Sequence, residues 1–217
     1  MLAGYPVTYR DRTGEVRTTI RNDGGTLSVQ LRGVAFRGVG FDALEPCGGD
    51  PAVLSTFTLA AGALCGCTLD FVTPLPAEGP GGVQFGTLFA HLELGNPLPN
   101  GVVDRELLVL TLALGSDRFT SRGMSGWFED ELLDIQKQLP AGTFMRACIN
   151  CAFSDYRPVG HGLSGGLACF RDNKDVYLAV QSKSDLFRVW STRTEFVQET
   201  YVCPEFRRRT PGAGYRG

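Results

Sequence analysis

Four cysteines in the C-terminal third carry the most specific chemistry in the chain. Cys148-Ile149-Asn150-Cys151 is a Cys-x-x-Cys pair, followed by a lone Cys169 and by Cys203 directly before Pro204. Four thiolates are what a closed tetrahedral zinc site requires, and soft sulfur ligands suit zinc. The first pair has the spacing of a zinc knuckle, but the second half is two separated cysteines, so each half needs the other. Two other readings stand beside this one: small buried residues, as free cysteines often are, and an iron–sulfur cluster, which also takes four cysteines. A thioredoxin-like redox pair would have to follow a strand and open a helix, whereas Ala152 to Tyr156 leads into Pro158 and a glycine-rich loop. The spacing therefore predicts a structural zinc on Cys148, Cys151, Cys169 and Cys203, with no coordination position open to a catalytic water.

Between these cysteines runs Ser154 to Gly166, which sets His161, one of only 2 histidines, near a Ser, an Asp and a Tyr. Gly160-x-Gly162-x-x-Gly165 matches the dinucleotide fingerprint, but no strand precedes it and no helix opens after it. Gly162-x-Ser164-x-Gly166 matches the nucleophile elbow, which needs a strand-to-helix turn in an α/β sheet that this chain does not predict. If the loop is catalytic, Asp155, Tyr156, His161, Arg171 and Glu199 are the candidate residues, with His161 and Asp155 as acid and base or as ligand-binding groups. The plainer alternative is that the glycines let the chain wrap the metal site while Asp155 caps backbone amides. Arg207-Arg208-Arg209 reads as a solvated tail or a strap over the surface, with phosphate pairing as the functional alternative. His91 alternates with Leu92 and Leu94 and is expected to face outward. Cys65 and Cys67 share parity with Leu69 and Phe71 and belong in the core, while Cys47 lies in a turn.

The elements that must position these groups are mostly strands. Val16, Thr18 and Ile20, then Leu27, Val29 and Leu31, alternate on either side of Asn22-Asp23-Gly24-Gly25, a hairpin pattern, and Gly33 shifts the phase as a bulge or bend would. Strand-like runs follow at 53–59, 65–72, 83–94 and 102–114, and the nearly continuous apolar run 107–114 suggests a strand buried on both faces. Phe128, Leu132, Ile135 and Leu139 form one helical stripe, with Ser125 as N-cap, acidic residues in the first turns, and Pro140 and Gly142 as the stop. Beyond it, strands are expected at 167–170, 176–180 and 194–202 and a short helix at 184–190. The fold class is α+β and β-rich: an antiparallel, β-sandwich-like part over 1–120, then one amphipathic helix and a zinc-stabilised α+β part over 121–217, sharing one core.

With 217 residues, 43% apolar content and a net charge of −2, the chain has enough material for a real core and no overall basic character. Nucleic acid is disfavoured on that ground. No segment approaches the roughly 20 apolar residues that span a bilayer, and no signal-peptide pattern opens the chain, so the expected compartment is the cytoplasm. There 7 cysteines stay reduced, and their odd number argues against a complete disulfide framework.

Several stretches taken together, Gly126-Trp127-Phe128-Glu129-Asp130-Glu131-Leu132, Cys148 through Tyr156, Gly160-His161-Gly162, Cys169-Phe170-Arg171 and Gln198 through Phe206 with the ending Pro211 to Gly217, resemble a bacterial family of unknown function common in actinobacteria. The resemblance covers the whole chain and is sharpest from residue 126 onward. It implies that the four cysteines, the Ser-Asp-Tyr…Gly-His-Gly loop and the tail through Gly217 belong to the family pattern, and it carries no reaction. An aromatic residue is expected near Ser164 in such proteins, where this chain has Leu163-Ser164-Gly165.

The first functional expectation is a zinc-stabilised binding or accessory protein, of immunity or adaptor type, that takes another protein or a small ligand. The second is a small biosynthetic enzyme using the Asp155/His161 loop beside a structural zinc. The third is binding of an anionic polymer through the Arg-rich tail, which would show as steep salt dependence.

Overall fold

The structure is a computed structural model that describes residues 3–23, 26–156 and 166–216. Alternation with a period of two is strongest where three long strands, Cys67–Pro74, Gly86–Leu94 and Glu106–Leu114, lie side by side. Leu88, Ala90, Leu92 and Leu94, with Leu108, Leu110, Leu112 and Leu114, all point to one side and are buried. The strands extend into one antiparallel sheet whose spatial order is Asp117–Thr120, Glu106–Leu114, Gly86–Leu94, Cys67–Pro74, Ala3–Asp11, Gly14–Asn22, Leu27–Leu31, Val34–Gly38 and Glu45–Pro46.

The β-rich, antiparallel expectation holds. Among the described residues no second sheet of comparable size forms, the other sheets having three, three and two strands. The buried face is covered instead by the helix Phe128–Gln138, by a Phe41–Leu44 loop and by short ribbons near Phe57 and Leu64. The run 107–114 is fully buried on one face only, its other residues being half-buried.

The helix forms as its stripe predicts, with Phe128, Leu132, Ile135 and Leu139 buried against the sheet. Ser125 is not its N-cap; Trp127 holds that position. Ser125 instead bonds both ways, its hydroxyl accepting from the Trp127 N–H at 3.1 Å and donating to Glu131 at 2.7 Å. Glu131 also accepts the Gly123 and Ser125 amides, so this acidic residue fastens the turn before the helix.

Three other local expectations are corrected. Gly33 is no bulge: Arg32 at φ +50° and Gly33 at φ +83° form the two-residue turn between Leu31 and Val34, and two successive positive φ values match the twist of a tight hairpin. The run 53–59 opens as a helical turn, Pro51–Leu54, because Asp50 accepts the Ala52 amide at 2.9 Å and Pro51 presets the first helical φ. The run 176–180 is helical over Lys174–Leu178, which puts Tyr177 and Val180, three apart, on one buried side and leaves Val176 exposed. The short helix at Lys183–Val189 and the strand Leu167–Cys169 form as expected, while the last strand is limited to Glu195–Val197.

One apolar cluster runs from Tyr5 to Ile149 and takes in both the large sheet and the helix. Residues beyond it gather in three smaller clusters around the sheet Ser154–Tyr156, Leu167–Cys169 and Glu195–Val197. Among the described residues no helix is long and apolar enough to cross a membrane.

Candidate functional site

The Cys-x-x-Cys pair sits on one tight turn. Cys148–Asn150 forms a single 3-10 turn closed by the Cys151 amide donating to the Cys148 carbonyl at 3.1 Å, and the Ser154 hydroxyl donates to the same carbonyl at 2.7 Å. Two distant segments are tied to this turn. The Cys148 and Ile149 amides donate to the Tyr201 and Glu199 carbonyls, just ahead of Cys203, and Ser154 pairs in register with Cys169. All four cysteines are buried, and all 7 in the chain are free thiols.

Burial pushes the Cys148 thiol up, and the charges of Cys151, Cys169 and Cys203 push it further, so the four are electrostatic neighbours. Burial also raises Cys169, opposed by Arg171, whose guanidinium lies 3.8 Å from its sulfur. The four are gathered, but among the described residues no group of three or more His, Cys, Asp or Glu side chains is arranged as a ready set of metal ligands. Cys65 and Cys67 do face the core as their parity predicts, though Gly66 separates them into two strands, and burial raises Cys67 to about 12.

The described catalytic candidates do not converge on one point. Asp155 and Tyr156 are adjacent on one strand, so their side chains leave opposite faces. Asp155 is buried beside Tyr177: one oxygen accepts the Tyr156 amide at 2.9 Å, the other the Tyr177 hydroxyl at 3.0 Å. Burial raises its carboxyl, opposed by the Tyr177 hydrogen bond and the charges of Arg216 and Arg209. Tyr156 packs with the cysteine cluster, and its hydroxyl donates to Glu199 at 3.2 Å. Arg171 pairs with Glu195 at 2.6 Å. His161 and Ser164, with the glycine patterns around them, lie outside the described residues.

Glu199 has the most unexpected surroundings. It is fully buried, and its charge acts on Tyr156, on Cys148 and on Tyr5 of the first strand, while Glu129 of the helix also acts on Tyr156. Tyr5 shares side-chain hydrogen bonds with Asn22 and Thr200. This polar seam joins the sheet to the C-terminal segment, and sequence reasoning missed all of it but Glu199 and Tyr156. Tyr5 lies on the first strand, Ala3–Asp11, which no pattern in the sequence reading picked out, Asn22 read as part of a turn, and Glu129 falls within an acidic run that the helix dipole explains.

The arginine run is a strap. Ala152 donates to the Arg207 carbonyl and Arg209 to the Asn150 carbonyl, with Cys151 and Arg208 forming a bridge between them. Arg207 lies over Phe153 at 4.5 Å and Arg208 over Phe144 at 4.3 Å, both with exposed side chains. Arg209 donates to the Ser154 and Ala213 carbonyls and to the Tyr177 hydroxyl, and Arg216 to the Ile149 carbonyl. Gly214, at φ +67°, lets the strap close over Tyr177, since a β-carbon there would lie 2.6 Å from the ring.

Away from the cysteines, the open face of the large sheet bears a depression of about 410 Å³ lined in part by Thr8, Arg17, Asp70, Phe89, His91 and Thr111. His91 is half exposed there, as its alternation predicts, but its Nδ1 lies 2.6 Å from Asp70, which also pairs with Arg10. Alternation alone could not reveal that cross-strand partner.

No curated protein and no solved structure matches the chain. A family model matches residues 3–154, which takes in the large sheet, the helix and the Cys-x-x-Cys turn and stops before Cys169 and Cys203. On that match the chain belongs to DUF6304, a family of unknown function.

Proposed function

We propose that the chain is a binding or accessory protein, without catalysis of its own, whose C-terminal segment is held by a structural zinc on Cys148, Cys151, Cys169 and Cys203. The observation that carries this is the meeting of four buried thiols from three separated stretches of chain around one hydrogen-bonded turn. Thiolates gathered in a buried place would repel one another, and a divalent cation would neutralise them. Ligation asks the four side chains to turn toward a common centre from a backbone already tied together by hydrogen bonds. A four-cysteine site leaves no water on the metal, so the ion stabilises and does not react.

The non-catalytic half of the reading rests on what the described candidates already do. Asp155, Tyr156, Arg171 and Glu199 are each engaged inside the fold, and they face different neighbours. The test is elemental analysis of the purified protein with thiol counting before and after a chelator. About one zinc per chain is expected, with four thiols becoming reactive only once the metal is removed. Metal-free protein whose thiol reactivity ignores the chelator overturns the zinc assignment.

A further inference from the structure

Where the strap crosses the Cys-x-x-Cys turn, a pocket of about 370 Å³ is lined by Arg208, Arg209, Arg216, Gln136, Asn150 and Thr210. Three of the lining residues are arginines, and among the described residues none of them makes an ion pair. Their contacts are with backbone carbonyls, the Tyr177 hydroxyl and aromatic rings. Asp155, a carboxyl that feels Arg209 and Arg216, is buried and turned to Tyr177. Among the described residues, Nε of Arg209 and Nη1 of Arg216 are buried with no hydrogen-bond partner, so both cations are short of acceptors. Arginines without a carboxylate partner beside a pocket are what proteins use to hold an oxyanion.

We infer that this pocket binds the phosphoryl group of a small phosphorylated molecule. The charge sets the class: three unpaired guanidinium groups favour a dianion over a single carboxylate, and the planar fork of arginine matches phosphate oxygens two at a time. The size sets the rest, because about 370 Å³ falls in the range of small-molecule sites and exceeds what a bare phosphate fills. Gln136 and Asn150 hold the wall rigid, Asn150 Nδ2 donating to Gln136 Oε1 and to the Met145 carbonyl, both at 2.9 Å. Arg208 and Thr210 are exposed and complete the rim.

The test is calorimetric titration of the full chain with inorganic phosphate, with phenyl phosphate and with benzoate, the last matching the ester in size but carrying a carboxylate. Saturable binding of phenyl phosphate is expected, about tenfold or more tighter than inorganic phosphate, with no binding of benzoate. Arg216→Gln should weaken phenyl phosphate binding by about tenfold or more. Arg208→Gln removes only an exposed side chain, so the protein stays folded, and binding must fall there too. Arg188→Gln, on a helix remote from the pocket lining, must leave binding unchanged. Failure of phenyl phosphate to saturate, equal affinity for benzoate or for inorganic phosphate, or full binding in Arg208→Gln overturns the assignment. None of these readouts depends on zinc, so the two proposals fail separately.

Discussion

The side chains of Asp11 and Asp155 are both almost fully buried, yet they are held in opposite ways. Asp11, at the end of the first strand, takes both ends of the Arg32 guanidinium at 2.6 and 2.8 Å, and the Tyr9 and Thr13 hydroxyls also donate to it. Burial alone would raise its carboxyl, but these partners outweigh burial and hold it well below the usual carboxylate range. Asp155 meets an amide and a phenol at hydrogen-bond distance, and burial wins. The contrast extends to the regions around them. In the sheet, charge is answered by charge at the margin of one continuous apolar core. In the C-terminal segment the apolar clusters are small, and the half-buried Arg209 and Arg216 are held by backbone carbonyls. The first region is stabilised mainly by area removed from water; the second rests on polar contacts whose net contribution is modest one by one.

The largest effect should come from the centre of the sheet. Leu110 is fully buried on the strand that carries the helix, so Leu110→Ala should cost about 4 kcal/mol through lost burial and the cavity left behind. Denaturant unfolding measures that cost. Hydrogen exchange should show the sheet and the helix Phe128–Gln138 losing protection together, since both belong to one cluster. Loss confined to the neighbouring strands would break the picture of a single cooperative unit.

Arg32→Ala comes next, at about 3 kcal/mol, because it strands a buried carboxylate. The pH dependence has a definite sign. A carboxyl whose folded value lies below its unfolded value of about 3.9 contributes stability that is fully present above that value and is lost as pH falls through the folded one. The intact protein should therefore lose stability on acidification below about pH 4, and Arg32→Ala should show a smaller acid-dependent loss. Asp155 has the opposite sign: its raised folded value gives a contribution present below the unfolded value and lost as pH rises through the folded one. An acid-dependent loss as steep in Arg32→Ala as in the parent would refute the role given to this pair.

How much of this contrast the residues announce depends on the range of the interaction. The helix was legible because Phe128, Leu132, Ile135 and Leu139 repeat at its own period, and the strands because their apolar residues alternate. The bidentate pair was not, since Asp11 and Arg32 meet only after two strand turns bring them together. Short runs also mislead: five residues such as 176–180 cannot distinguish a strand from a helical turn, and Tyr177 decides the matter by stacking on Phe170, with ring centroids 4.5 Å apart. Of the two readings of the arginine run, solvated tail or strap, composition could not choose. Arg207 and Arg208 keep exposed side chains, whereas Arg209 is held by backbone carbonyls, which no side-chain pattern reveals.

The smallest effect is the most discriminating. Tyr177→Phe keeps the ring on Phe170 and removes only the hydroxyl, which bonds the Ser154 carbonyl, Asp155 and Arg209. Such a loss costs about 1–2 kcal/mol, and it leaves Asp155 and the Arg209 guanidinium each short of a partner. If the two regions differ as described, hydrogen exchange should quicken in 148–156 and 167–213 while the Glu106–Leu114 strand keeps its protection. Equal loss in that strand would mean that the polar seam through Glu199 and Tyr5 couples the two regions into one unit. The seam, and not the apolar core, would then be what makes the C-terminal segment part of the fold.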